Sequence, residues 1–293
     1  LYREMELPLM GVLLSMEREG FMVDRKFLEE MGVELTAAEN RLREEIIAET
    51  GGVPFNLNSP KQLGEVLFER LALPSGRKTS RGWSTDADTL EGLRGQHPAI
   101  EKLLEYRRVT KLNATYIVGL TEKIDRDGRV RSLFDQTATV TGRLSSNEPN
   151  LQNIPVRTEE GRRIRRAFIA RPGWLLVDAD YSQIELRILA HLSGDENMID
   201  AFVKGQDIHA RTAAEVYGVP LEEVTPQMRS ASKAVNFGIV YGISDFGLAR
   251  NIGVSRKEAA AFIERYFARY PGVKRFMDSA VADGKALGCA RTM

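Results

Sequence analysis

VDADYSQIELRILAHL, residues 177–192, joins two unlike patterns. The run GWLLV just before and into it, 173–177, is apolar, of strand length, and reads as a buried strand. IELRILAHL, 184–192, spaces its apolar residues as an amphipathic helix does. Asp180 stands where the strand is expected to run out. Asp178, two residues earlier, would share its face on an extended chain. Two carboxylates on one face repel unless a cation or proton intervenes. Oxygen ligands without His or Cys favour Mg²⁺, which takes one or two carboxylates plus substrate phosphates. The plain alternative is that Asp180 caps the following helix, with Ser182 nearby. The segment alone leaves both open.

Composition narrows the classes around this corner. The chain has 293 residues, 43% of them apolar, enough for one large domain or a few smaller ones. Lys+Arg and Asp+Glu each number 41, so global charge names no partner. Local runs do better: RTEEGRRIRRAFIAR (157–171) and RKTSR (77–81) are basic, either solvated surface or places that touch a polyanion. A single cysteine, Cys289, excludes an internal disulfide framework and a thiol metal cluster, and the three histidines lack zinc spacing. No apolar run approaches the ~18 residues of a membrane span, and LYREMELPLM is no signal peptide. A soluble, cytoplasmic protein without a membrane partner is expected. The abrupt ends, LYRE and CARTM, suggest a piece of something longer.

Along the chain, 1–50 is helical by pattern, with a stop at Gly20, a short extended piece, and a long charged helix ending at Gly51-Gly52. SPKQLGEVLFERLAL (59–73) opens with Ser59 as N-cap, Pro60 at the first helical position, and Gln62 placed to close a capping box. RKTSRGW reads as a polar basic loop, followed by helices from STDADTLEGL and HPAIEKLLEYRRVTKLNATYIVGL. Asp127-Gly128 marks a hairpin turn. From residue 200 the pattern is helical again, with Thr225-Pro226 starting one helix, Gly242 ending it, and a Ser255/Glu258 capping box opening another. The fold class is α+β, a sheet carrying the acidic corner with helical lobes on either side.

Two further segments carry chemistry. In MRSASKAVNFGIVYG (228–242), Arg229, Lys233, Phe237 and Tyr241 recur every fourth residue and form one slowly drifting stripe on a helix. Two cations followed by two rings suit a nucleoside triphosphate, the cations on phosphate and the rings on sugar and base. A surface helix whose rings turn inward while its cations are solvated gives the same spacing. TGRLSSNEPNLQNIP (141–155) is rich in amide side chains that could read base edges in a minor groove, or merely build Asn-Pro turns.

Together these segments are far more specific than any one alone. DADYSQIELR resembles the first palm motif of family A DNA polymerases, and RSASKAVNFGIVYG resembles their finger-helix motif R-x-x-x-K-x-x-x-N-F-G-x-x-Y-G. TGRLSSNEPNLQNIP resembles the loop between palm and thumb, and NSPKQLGEVLF with WSTDADTL resembles the thumb. The likeness covers essentially the whole chain in the family's order. It implies a right-hand polymerase fold: a helical segment at the palm base (1–50), a thumb (51–120), a partial palm with antiparallel sheet (121–199) and truncated fingers (200–293).

The resemblance also implies roles. Asp180 and the Tyr181 backbone carbonyl would hold Mg²⁺, two ions being expected in the complete enzyme. Two metals ~4 Å apart activate the primer oxygen and neutralise the departing pyrophosphate. Glu185 corresponds to a steric gate against the ribose 2′-hydroxyl, implying deoxynucleotide substrates. Arg229, Lys233 and His209 would grip the triphosphate, with Arg157 and Gln183 also on the nucleotide. Phe237 would stack on the incoming sugar and base, and Tyr241 would guard the templating position. Arg143, Asn150, Gln152 and Asn153 would contact the primer–template minor groove, with Arg187 supporting from the helix after the acidic corner. Ser230 and Ser232 depart from the Arg and Ala common in the family, but lie off the stripe. Asp178 departs from the small residue expected there and is left out of the metal set.

A His-Asp-Glu motif, which in the family brings the second metal aspartate, is not found between residues 1 and 293. Two functions are therefore expected. One is template-directed DNA synthesis from dNTP by a monomeric enzyme with primer–template DNA as partner. The other is a non-catalytic primer–template-binding role for the chain as it stands.

Overall fold

The computed structural model describes residues 1–74, 78–79, 82–156 and 158–289. It forms two compact units, Leu1–Val177 and Asp178–Met293. Their boundary falls inside the 121–199 segment, within the stretch quoted at the outset.

In the first unit a π-helical turn, Tyr2–Glu6, leads into α1 (Leu7–Glu19). Gly20 ends α1 at φ 60°, and a side chain there would meet the Val130 carbonyl oxygen at 2.7 Å. Only glycine satisfies both demands. β1 (Phe21–Val23) follows, then α2 (Arg25–Glu49), whose first turn is capped by the Asp24 carboxylate accepting from the Phe27 amide at 3.0 Å. α3 (Pro60–Gly64) is capped by Ser59 as expected. Gln62 does not close the box. Its Oε1 accepts from the Asn56 amide at 2.7 Å, because the turn at Leu57–Asn58 folds that N–H over the helix start.

The basic loop lies partly outside the described residues, at 77, 80 and 81. Its described part pairs β2 (Lys78–Thr79) with β3 (Gly82–Trp83). α4 (Ala87–Gly92), α5 (Pro98–Leu112) and α6 (Gly119–Glu122) complete the helices of this region. The α2 positions Leu28, Met31, Leu35, Leu42 and Ile46 recur at helical spacing and bury against Ile100, Leu103, Tyr106 and Val109 of α5 in one core. Burying each such side chain contributes about 1.5–3 kcal/mol. The exposed ion pairs on these helices, such as Arg25–Glu29, add little beside it.

β4 (Arg129–Val130), β5 (Leu133–Asp135), β6 (Ser145–Asn147), α7 (Glu159–Arg165) and β7 (Phe168–Ile169) follow. β4, β1 and β7 make an antiparallel sheet with Phe21 opposite Val130 and Val23 opposite Phe168. The Asp127-Gly128 turn forms with Gly128 at φ 78°, though its two arms share only the bridge Ile124–Val130, since β4 takes β1 as its ladder partner. β5 and β6 pair separately, Phe134 opposite Ser146.

The expected strand at 173–177 is not formed. Trp174, Leu175, Leu176 and Val177 are irregular and exposed, Leu175 at 87%. A strand is a pairing rather than a local preference, and among the described residues no strand lies beside this run to satisfy its amides. With the strand goes the shared-face argument for Asp178 and Asp180.

The second unit is all helical among its described residues: α8 (Ile184–Ser193), α9 (Glu196–Val203), α10 (Ile208–Tyr217), α11 (Pro226–Val240), α12 (Asp245–Ile252), α13 (Arg256–Arg269) and α14 (Pro271–Leu287). Thr225 caps α11, Tyr241 and Gly242 close it, and the Ser255/Glu258 capping box is complete on α13. Leu186, Met198, Ile208, Val235, Ile239, Tyr266 and Tyr270 fill the core. The α+β class holds as a mostly helical chain with small antiparallel sheets. No helix among the described residues is long and apolar enough to cross a membrane.

Candidate nucleotide and nucleic-acid sites

The acidic corner is built by the start of α8. Its N-cap is Gln183, a non-glycine residue in the left-handed region at φ 56°, ψ 40°, and no side chain caps the helix. Asp180 is therefore not the cap that local pattern allowed; it sits exposed two residues outside the turn. A left-handed glutamine costs about 1 kcal/mol or more and persists only where surroundings impose it. Arg187 supplies one such restraint, donating from Nε to the Ser182 carbonyl at 2.9 Å while its guanidinium lies 4.6 Å over the Phe202 ring. The Gln183 side-chain oxygen is buried without a partner among the described residues, an acceptor open to a ligand. Exposed Asp180 and the Tyr181 main chain offer oxygen donors only. That donor set fits a hard cation arriving with phosphates. It cannot enclose one alone, since no group of three or more His, Cys, Asp or Glu gathers among the described residues.

The α11 stripe faces outward. Arg229, Lys233 and Tyr241 are exposed and Phe237 is half-buried, whereas Ser232, Val235, Asn236 and Ile239 form the buried face. The rings do not turn into the core, which removes the alternative drawn from spacing alone. Ser230 and Ser232 lie off the stripe as expected, one exposed and one buried. Tyr241 donates its hydroxyl to Glu185 Oε1 at 2.8 Å, tying the end of α11 to the first turn of α8. Gly238 lets Ile243 fold back onto the helix, for a Cβ there would meet Ile243 Cγ2 at 2.7 Å.

Arg229 donates from Nε to Asp207 Oδ2 at 2.7 Å, and Asp207 also caps α10 by accepting from the His209 and Ala210 amides. Beside them His209 is 3% exposed, with its ring centroid 5.7 Å from that of Phe237. His209 is thus a buried layer under Phe237 rather than a surface cation. Burial pushes its pKa down to about 4, helped by the charges of Arg229 and Lys233 and opposed by Asp207.

A pH dependence follows. The unfolded ring titrates near 6.5, the folded ring near 4. Between those values the unfolded chain binds a proton that the folded one refuses. Stability is then full above the unfolded value and falls as pH drops through the window, by up to about 3 kcal/mol. Thermal melts across that window are expected to show the decline, and His209→Gln to flatten it; an unchanged slope in the variant would assign the decline to other groups.

In the first unit, Asn150, Gln152 and Asn153 line an open cavity of about 630 Å³ together with Arg108, Lys111 and Tyr116. Gln152 is committed to the loop: Oε1 accepts from the Ser146 amide at 3.3 Å and Nε2 donates to the Leu144 carbonyl at 3.2 Å. Asn150 caps the short 3₁₀ turn Leu151–Asn153, and Tyr116 donates its hydroxyl to the Asn153 carbonyl. Under the turn, Ser132 bonds Ser146 at 2.6 Å and the Pro149 carbonyl at 2.9 Å. The loop thus presents side chains from a braced backbone. Arg108 and Lys111, on α5, escaped sequence reading. Their spacing of three on a helix was visible, but not that the loop at 149–156 would lie beside them. Arg143 is exposed on the same loop, and Arg157 lies outside the described residues. The predicted residues fall on both units, Arg143 to Asn153 on one and Asp180 to Tyr241 on the other.

The second unit thus carries a left-handed corner bearing Asp180 and a cation-and-ring stripe, and the first an amide-lined cavity beside two cations. The sequence model described as DNA polymerase family A matches residues 25–293, and the chain belongs to that family. It is 54% identical over 299 aligned positions to DNA polymerase I of Geobacillus stearothermophilus, covering 100% of this chain and 34% of that protein. It is 51% identical over 296 positions to the thermostable DNA polymerase I of Thermus aquaticus, covering 100% of this chain and 36% of that one. The chain therefore spans about a third of the length of these curated relatives. A solved structure, the POL domain of Pol1 from M. smegmatis in complex with DNA primer-template and dNTP, superposes with a TM-score of 0.88 at 42% identity. The match covers 99% of this chain and 51% of that one.

Proposed function

We propose that this chain is part of a template-directed DNA polymerase that adds deoxynucleotides from dNTP to a primer 3′-hydroxyl. The observation that carries the reading is the outward stripe of Arg229, Lys233, Phe237 and Tyr241, linked to the Asp180 corner through the 2.8 Å Tyr241–Glu185 bond. Arg229 and Lys233 bind and orient the triphosphate, Phe237 stacks on sugar and base, and Gln183 adds a further contact to the nucleotide. Tyr241 and Glu185 close the sugar pocket. Asn150, Asn153 and Arg143 face the primer–template minor groove, where acceptors dominate and readout is nearly sequence-independent, while Gln152 braces the loop that carries them. Arg187 acts by bracing the turn at Ser182.

In this reading 1–50 is the base of the palm, 51–120 the thumb, 121–199 palm and 200–293 fingers. Family A polymerases generally use divalent metal ions, and Asp180 with the Tyr181 carbonyl would hold Mg²⁺ here. Two such ions, when bound, supply activation of the attacking oxygen and neutralisation of the leaving pyrophosphate. The protein acts as a cytoplasmic monomer.

A second reading is favoured by the donor set, in which Asp180 has no fellow carboxylate from a His-Asp-Glu motif within 1–293. The chain by itself then binds primer–template without extending it. Fluorescence anisotropy with a labelled primer–template, beside a primer-extension assay on the same chain, tests both. Binding that weakens steeply with salt supports DNA recognition. Extension by the chain alone removes the second reading, and no binding at any salt removes both.

A further inference from the structure

The second unit buries an uncommon amount of polar chemistry directly beneath the stripe. Asn236 is 0% exposed, Thr212 1% and His209 3%. Thr212 Oγ1 donates to Asn236 Oδ1 at 3.2 Å, and Asn236 Nδ2 lies 2.8 Å from His209 Nδ1. Thr212 Oγ1 is also 3.3 Å from the Tyr270 hydroxyl. The structure orients the Asn236 amide with Oδ1 on Thr212 and Nδ2 on His209, and that orientation sets the direction of the other contacts. Because the Thr212 proton is given to the Asn236 oxygen, Tyr270 must be the donor to Thr212. In the same orientation the Asn236 amide nitrogen faces the imidazole. An amide nitrogen only donates, so His209 Nδ1 must accept. The ring proton is then carried by Nε2, which has no hydrogen-bond partner among the described residues.

We infer that Tyr270, Thr212 and Asn236 form a hydrogen-bond chain of fixed polarity that locks His209 as the Nε2–H tautomer, aiming a neutral donor at a phosphate oxygen of the incoming nucleotide. The inference rests on the nucleotide reading above. Asn236, Thr212 and Tyr270 are positioning residues, since none needs to touch the nucleotide. A neutral donor has a use beside Arg229 and Lys233. A third cation there would hold the departing pyrophosphate, whereas a fixed N–H bonds an oxygen without adding charge. Burial favours the neutral ring, in keeping with its lowered pKa. The hydrogen-bond chain also explains why a buried Asn sits between Lys233 and Phe237 on a helix whose other buried positions are mainly apolar: it determines which nitrogen of the neighbouring ring can donate.

Long-range ¹H–¹⁵N correlation of the ¹⁵N-histidine-labelled chain at neutral pH reads the tautomer directly, and only three histidines contribute. The expected spectrum shows His209 as neutral Nε2–H. An Nδ1–H tautomer, or an imidazolium, overturns the lock without reference to nucleotide. Thr212→Val frees the Asn236 amide to rotate, and is expected to give mixed tautomers and a dissociation constant for dATP with Mg²⁺ raised several-fold, up to about tenfold. Thr212→Ser, which keeps the hydroxyl, is expected to restore both. A shifted tautomer with unchanged dATP affinity overturns the positioning role. A wild-type chain with the Nε2–H spectrum but no affinity for dATP overturns the nucleotide reading, and with it the purpose assigned to the lock.

Discussion

Asp180→Asn, in a protein of the relatives' full length, is expected to lower primer extension at least about a thousandfold, some 4 kcal/mol of transition-state stabilisation. Asn keeps the size and one oxygen but loses the charge on which a hard cation depends. The helix beside it should not suffer, because α8 is entered through Gln183 and no side chain caps it. Thermal stability is expected to stay within about 0.5 kcal/mol of the parent, as for most exposed substitutions. The two readouts separate the proposals cleanly. Lost extension with unchanged melting supports Asp180 as the metal-holding carboxylate. Lost stability with retained extension would return it to the structural role that local pattern allowed.

Glu185→Ala is expected to relax sugar discrimination, raising kcat/KM for ribonucleotides relative to deoxynucleotides by about a hundredfold. The carboxylate is half-buried and held by the Tyr241 hydroxyl at 2.8 Å, so it cannot swing aside cheaply to admit a 2′-hydroxyl. Tyr241→Phe leaves the carboxylate but removes its tether, and a smaller relaxation, about tenfold or less, is expected. Single-nucleotide insertion with matched rNTP and dNTP pairs measures both. An unchanged ratio in Glu185→Ala would mean that discrimination lies elsewhere, for instance at Phe237. The double variant should show less than the sum of the two effects, because both act on one carboxylate.

Much of the fold was legible because helices declare themselves locally. Thr225 before α11, the Ser255/Glu258 box and Gly20 after α1 each solve a problem of unpaired amides or backbone angle within a few residues. The stripe was legible for the same reason, as four residues one turn apart need no tertiary information. The strand at 173–177 misled because apolar composition records a tendency to be buried, while a strand also needs a neighbour to bond. Gln62 misled in a smaller way: its amide had two amides in reach, and the Leu57–Asn58 turn chose between them.

By itself the sequence determined the helices, the order of the motifs and the residue types of the candidate sites, since periodicity, capping and motif spacing are properties of neighbours along the chain. Tertiary structure alone decided which face of α11 looks outward, that Tyr241 holds Glu185, that Arg108 and Lys111 join the amide loop, and that His209 is buried between Asn236 and Phe237. Each depends on groups far apart in sequence. Burial and hydrogen-bond direction follow from what lies alongside in space, which no window of the chain contains.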